Sequence, residues 1–265
     1  MKIVVCVKAV PDPKEADKIK IDPETKTLMR GDVPFATNPL DKHAVEAALQ
    51  LKRTLGGFVT ILSMGPPAAA NVVKECLALG ADRGILLSDR AFAGADAFAT
   101  AYTLAKGIEK IGRFDLVLCG MASSDGATEW VGPQIATFLN IPVVTMVNEI
   151  HHESGDEWQV KTAWEDGYRR VAVQLPALLT VARELNEPKN LSFSGIIKAR
   201  KKEITAWSLA ELDVAPDSVG FEGSPTVVGD FGTLQTARNV EFLEGTAEEK
   251  AKLLVDILTE SGAIG

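Results

Sequence analysis

The stretch from Gly120 to Gly132 reads GMASSDGATEWVG and joins a short apolar run, Leu116 to Cys119, to a helical pattern over Gln134 to Leu139. Gly120, Gly126 and Gly132 expose backbone N–H groups without Cβ obstruction, and hydroxyl side chains add donors. The helix that follows turns its partly positive N-terminus toward the loop. Such a loop can hold an anion, and a nucleotide phosphate is the natural occupant. The stretch is neither GxGxxG nor GxxxxGK[ST], so spacing alone leaves two readings open: a phosphate cradle or a tight strand-to-helix turn. Three further stretches sit where strands end or a helix begins: Cys6-Val7-Lys8, Asn38-Pro39-Leu40-Asp41 and Ser63-Met64-Gly65. In an open parallel sheet, ligands bind beyond the carboxyl ends of the strands, at the point where strand order reverses.

Covalent catalysis has no candidate set. No HExxH helix, GxSxG elbow or Ser–His–Asp constellation is present. His151 and His152 lie beside Glu153 and Gly155 in a polar turn and read as solvated, and the helical period places His43 on the exposed side of its helix. A basic run, Lys198, Arg200, Lys201 and Lys202, stands out in an acidic chain, with Leu191 and Phe193 in a polar loop just before it. The run is either a solvated face or a steered docking surface for an acidic partner. The two apolar side chains are either its anchor or part of a loop folded over its own core.

Alternating strands and helices must position these residues. Ile3 to Val7, Phe58 to Leu62, Gly84 to Leu87, Leu116 to Cys119 and Val143 to Val147 read as buried strands. Helices are expected from Asp41 as N-cap to Gly56, from Pro67 to Gly80, and from Asp96 to Ile111. Short links mean right-handed βαβ units and a mostly parallel sheet. Residues 14–37 suggest a hairpin excursion. Trp158 to Ala163, Arg169 to Leu175 and Leu178 to Val181 read as antiparallel additions to the same sheet. A loop with a short helix, an extended arm over 214–239 and an amphipathic helix over Thr246 to Leu258 complete the chain. The fold class is therefore α/β, a doubly wound, Rossmann-like sheet over 1–213 followed by an arm over 214–265.

Composition narrows the classes. The chain has 265 residues and a formal net charge of −8, which argues against a nucleic-acid-binding face. Cys6, Cys76 and Cys119 have no CxxC spacing and read as reduced thiols. The N-terminus reads as a buried strand rather than a signal peptide, and no stretch reaches the roughly 18 apolar residues that span a bilayer. A cytoplasmic protein without membrane insertion is expected.

The order VCVKAVPDP, NPLDKHAVEAALQLK, SMGPPAA, ECLALGADRGILLSD, GMASSDGATEWVGPQIA and LPALLTVARELNEPKNLSFSGIIKARKKEI resembles the electron-transfer flavoprotein beta subunit over about residues 1–208. The resemblance implies a heterodimer with an alpha-type flavoprotein subunit whose FAD is bound mainly by alpha. It further implies that the beta subunit holds AMP. The residues that would hold it are Cys6, Asn38, Pro39, Leu40, Asp41 and Met64, with the loop Gly120, Met121, Ala122, Ser123, Ser124, Asp125, Gly126, Ala127, Thr128, Glu129, Trp130 and Val131. Electrons would arrive from an acyl-CoA-type or other flavin dehydrogenase and leave to a quinone-reducing acceptor. The recognition loop would be 182–202, with Phe193 where the family more often places leucine. One branch of the family carries a second FAD in place of AMP and bifurcates electrons from NADH. NPLDK, SMGPP and AWEDGY resemble that branch. Met121 to Ser124, Trp130 and Ala97 depart from it, so AMP is the first reading and a second FAD the alternative. Two other classes fit less of the chain. A stand-alone nucleotide module of universal-stress type leaves the LNEP…KARKK stretch unexplained. ATP-dependent activating enzymes carry a pyrophosphate loop where this chain has Lys8-Ala9-Val10-Pro11.

Overall fold

The run KIVVC is buried from Ile3 to Cys6 and forms β1 (Lys2–Cys6) at the centre of the sheet. The computed structural model describes residues 1–12, 20–21, 28–29, 34–151, 155, 157–227, 240 and 242–264. After β1 come four short strands, β2 (Ala9–Pro11), β3 (Lys20–Ile21), β4 (Leu28–Met29) and β5 (Phe35–Thr37). β2 pairs with β5 and β3 with β4, both antiparallel. The expected hairpin is thus seen at its β3–β4 rungs, and most of 14–33 lies outside the described residues.

The alternation then runs α1 (Pro39–Leu55), β6 (Phe58–Met64), α2 (Ala70–Leu79), β7 (Arg83–Leu87), α3 (Ala97–Ile111), β8 (Leu116–Gly120), α4 (Val131–Phe138) and β9 (Val143–His151). It continues with β10 (Glu157–Trp164), β11 (Gly167–Gln174), β12 (Ala177–Val181), α5 (Phe193–Ala199), β13 (Ile204–Trp207) and α6 (Leu209–Leu212). The main sheet has the order β11-β10-β9-β12-β8-β1-β6-β7-β13. Its strands are parallel from β9 to β13, and β10 and β11 extend it antiparallel. Helices cover both faces. Val45, Ala48 and Leu49 of α1 and Val73 and Leu77 of α2 pack on one side. Leu104 and Ile108 of α3 and Ile135 of α4 pack on the other. This is the doubly wound, Rossmann-like α/β class.

Three local expectations are corrected. β12 is a central parallel strand between β9 and β8, not an antiparallel addition. Its run ALLTV is buried at every position, as a strand covered on both faces requires. β13 starts at Ile204, the last residue of the stretch expected to be a loop with a short helix, and is an unexpected strand; its fourth residue, Trp207, is buried against the α3 side. α1 starts at Pro39, two residues before the expected N-cap Asp41, because proline lacks the N–H that a first helical position leaves unpaired. Asn38 takes the N-cap position, and Asp41 is free to turn inward.

The chain divides into two compact units, Met1–Val228 and Gly229–Gly265. Residues 214–227 therefore belong with the sheet: Val219 is buried, and Phe221 N–H donates to the Ala93 carbonyl at 2.9 Å. The second unit contains α7 (Ala247–Glu260), which opens with a capping box between Thr246 and Glu249. Leu253, Leu254, Ile257 and Leu258 recur at helical spacing along α7.

Leu179 of β12 is fully buried among the α1 side chains. Truncating it removes three carbons from a close-packed layer. Leu179→Ala is expected to cost about 2 to 5 kcal/mol in urea unfolding monitored by circular dichroism.

Candidate functional site

Strand order reverses at β1. The chain moves from β1 to β6 and β7 on one side, then crosses to β8 on the other. The crevice beyond the carboxyl ends of β1 and β8 is thus the topological switch point. Four of the sequence stretches meet around this end of the sheet. Cys6 closes β1, Met64 closes β6, Asn38 to Asp41 open α1, and Gly120 begins the loop to α4.

The Asp41 carboxylate ties three of these together. Its Oδ2 accepts Lys8 N–H at 2.7 Å, and its Oδ1 accepts Gly120 N–H at 3.0 Å. One buried side chain thus satisfies two backbone donors where their strands have run out of neighbours. Asp41 is 5% exposed, and burial pushes its carboxyl up to about 6 although the Lys8 and Gly120 donors favour the charged form. Asn38, also buried, holds the loop from its other side. Its Nδ2 donates to the Ala122 carbonyl at 2.8 Å, and its Oδ1 accepts Ser124 N–H at 3.1 Å.

Beyond Ser124 the loop turns its backbone outward. The Asp125 side chain folds in, and its Oδ1 meets Lys8 Nζ at 2.6 Å, while Ser123 Oγ lies 3.3 Å from the same nitrogen. Burial raises the Asp125 carboxyl, but the Lys8 ammonium outweighs it and leaves Asp125 below the usual carboxylate range. Ala127 (φ 47°) and Glu129 (φ 60°) are left-handed, and Ala127 N–H closes a turn on the Ser123 carbonyl at 2.9 Å. Among the described residues, the N–H groups of Gly126, Thr128 and Glu129 have no hydrogen-bond partner. Trp130 is 65% exposed at the start of α4 and does not fill the crevice. Free backbone donors, a helix N-terminus and one ammonium form a donor set that suits a phosphate.

The three glycines do different work. A Cβ on Gly120 would lie 2.5 Å from Asp41 Oδ1 and 2.7 Å from the Leu40 carbonyl carbon. One on Gly132 would lie 2.5 Å from Thr180 Cγ2 and 2.9 Å from Cys119 Sγ, so α4 packs onto β12 and β8 there. One on Gly126 meets only Ser123 Oγ at 3.5 Å and Lys8 Nζ at 4.0 Å, ordinary contact. The protein's own packing therefore requires the first two and leaves the third open. Cys6 is not a nucleophile: burial, with the Asp41 charge beside it, pushes its thiol up to about 12. Cys76 and Cys119 are likewise raised by burial. Among the described residues no group of His, Cys, Asp and Glu could hold a metal ion.

The 182–202 segment starts beside the loop, where Met121 N–H donates to the Val181 carbonyl at 3.0 Å, and leads on to α5. Phe193 begins α5 and is 80% exposed, with Leu191, Ile196 and Ile197 exposed near it. Ser192 caps α5 by accepting Gly195 N–H at 3.0 Å. Gly195 lets α5 sit tightly on the end of α2, since a Cβ there would lie 2.3 Å from the Ala78 carbonyl oxygen. Lys198, Arg200 and Lys201 are exposed, but Lys202 turns back to donate to the Ala81 carbonyl and is not a free surface charge. Sequence reasoning missed Lys8 as a side chain of the crevice, though it named the strand end that carries it. It also missed Ile196 and Ile197, whose helical spacing from Phe193 was the available signal. His43 is half-buried rather than solvated: its Nδ1 lies 2.8 Å from the Asn186 carbonyl oxygen, which a helical period alone does not show.

Because the Asp41 carboxyl is raised, the folded chain holds a proton between about pH 4 and 6 that the unfolded chain has released. The Asp41 contribution to stability is therefore full below that window and lost as pH rises through about 6. Asp41→Asn should remove this fall, worth at most ~3 kcal/mol, from the pH dependence of urea unfolding. It should also loosen the loop, because an amide offers one acceptor to two N–H donors.

The family model for the electron transfer flavoprotein domain matches residues 25–212. The chain is 45% identical over 260 residues to the electron transfer flavoprotein subunit beta of Clostridium acetobutylicum, covering 98% of each chain. It is 45% identical to the caffeyl-CoA reductase-Etf complex subunit CarD of Acetobacterium woodii, covering all of both. It is 39% identical to the acryloyl-CoA reductase electron transfer subunit gamma of Anaerotignum propionicum, again covering all of both. With a doubly wound sheet and a switch-point crevice, these likenesses agree on one assignment: the chain belongs to the electron transfer flavoprotein family, among its beta subunits, and its role is electron transfer.

Proposed function

We propose that this chain is the beta half of a two-chain electron carrier. With an alpha-type subunit it holds an FAD, and its own switch-point crevice takes AMP. It accepts electrons from an acyl-CoA-type or other flavin dehydrogenase and passes them to a quinone-reducing acceptor. The observation that carries this reading is the loop from Ser124 to Trp130, whose unpaired N–H groups and exposed backbone are held in place by Asn38 and Asp41. A phosphate would take those donors beside the Lys8–Asp125 ion pair, and Met64 and Cys6 would line the inner end of the site. FAD, when bound, supplies reversible electron uptake and release; this chain's residues bind, orient and exclude water.

A second reading places another FAD where AMP would sit, as in an electron-bifurcating subunit. The exposed indole of Trp130 supports it, because that side chain leaves the crevice open and offers a stacking face. The two readings separate on one measurement. The heterodimer, purified with its alpha-type partner, is denatured with acid and the released nucleotides are chromatographed. One FAD and one AMP per heterodimer supports the first reading; two FAD and no AMP supports the second; no nucleotide beyond one FAD defeats both.

Gly126→Val adds a branched side chain where the protein's own atoms leave space, so the fold should survive. Nucleotide released per heterodimer should fall severalfold while the unfolding free energy from urea titration stays within about 0.5 kcal/mol of the parent. Phe193→Ala removes an exposed aromatic anchor. The apparent KM of an acyl-CoA dehydrogenase for the heterodimer should rise roughly tenfold, with nucleotide content unchanged.

A further inference from the structure

α1 holds the crevice with Asn38 and Asp41, and two residues later it holds something else. His43 Nδ1 lies 2.8 Å from the Asn186 carbonyl oxygen, and Asn186 Nδ2 donates to the His43 carbonyl at 3.0 Å. The Asn186 carbonyl only accepts, so His43 Nδ1 carries the proton, and the two residues are clasped in both directions. Asn186 Oδ1 is buried without a protein donor, so the carboxamide is oriented through Nδ2 alone.

The clasp falls on a segment with little else to hold it. After β12 the chain makes one 3-10 turn, Arg183–Leu185, and then has no regular structure until Ser192 caps α5. Among the described residues, the hydrogen bonds that join 186–191 to the rest of the chain are the two of the clasp. The position of Leu191, and the approach to Phe193, therefore depend on His43. Order in such a segment is local and follows its few ties.

We propose that His43 is a positioning residue for the docking surface: the His43–Asn186 clasp fixes residues 186–191 against α1 and so sets the affinity of the Leu191–Phe193 face for a protein redox partner. This rests on the docking reading given above. It also joins the two functional regions mechanically, because Asp41, which holds the nucleotide loop, and His43 of the clasp stand two residues apart on α1.

The test uses the heterodimer with four substitutions: His43→Ala, His43→Asn, Asn186→Asp and Phe193→Ala. Asn186→Asp puts an oxygen where Nδ2 donates and changes no helix residue, so the test survives a folding failure of His43→Ala. His43→Asn keeps a donor near the place of Nδ1. Tryptic cleavage after the exposed Lys189 and steady-state reduction by an acyl-CoA dehydrogenase are measured. His43→Ala and Asn186→Asp should speed cleavage there roughly tenfold, the loss of one or two hydrogen bonds. They should raise apparent KM by a similar factor, leave kcat and nucleotide content unchanged, and His43→Asn should restore both readouts in large part. Unchanged cleavage in both disrupting variants overturns the proposal. A KM moved by Phe193→Ala but by neither of them overturns the clasp's role alone. A KM moved by none of the four overturns the docking reading and the clasp's role together.

Discussion

A carboxylate taken out of water is costly unless its oxygens are occupied, and the site around Asp41 depends on how that cost is met. Lys8 N–H and Gly120 N–H sit at the ends of two parallel strands, where the ladder stops and no further carbonyl is offered. Asp41 replaces the missing acceptor for both. Removing it would leave two part-buried donors unpaired and release the first turn of α1 from the ends of β1 and β8. Burial still wins over the hydrogen bonds in setting its proton affinity, which marks the carboxylate as a structural clip held at some expense.

The loop beyond Gly120 follows from that clip. Its inner end is pinned by Asn38 and Asp41, its outer end by the packing of Gly132 on β12 and β8. Between the two, the left-handed Ala127 and Glu129 keep backbone donors facing outward. Non-glycine residues in that conformation are strained, and such strain persists where surrounding structure over-determines it, commonly at ligand clamps. The crevice thiols stay protonated, which suits a protein whose work is moving electrons.

The exposed face of α5 is organised separately. α5 lies on the end of α2 because Gly195 permits close approach, and the segment leading into it is tied to α1. α1 therefore touches both regions, the Gly120–Gly132 loop through its first turn and the segment before α5 through its second. Phe193, Ile196 and Ile197 together form an apolar patch beside exposed Lys198, Arg200 and Lys201, while Lys202 serves the fold. Apolar anchors ringed by charge are the usual composition of a transient interface.

Much of this was legible in the residues alone. Strand–helix alternation determined the doubly wound class, since a parallel sheet with short links has few other solutions. The place of the crevice followed from it, because strand ends and a Gly-rich loop converge there in any such topology. Family membership was legible from motif order, without coordinates. Tertiary structure decided what depends on partners distant in sequence. ALLTV reads equally well as an edge or a central strand, and only its two neighbours make β12 parallel. Asp41 reads as a helix cap until Lys8 and Gly120 are brought to its two oxygens from 33 and 79 residues away. Lys202 reads as one charge of a run until Ala81 takes it, and His43 reads as solvated until Asn186 closes on it. Periodicity reports which face of an element is apolar; it carries no information on which distant polar group will meet a side chain once the sheet has assembled.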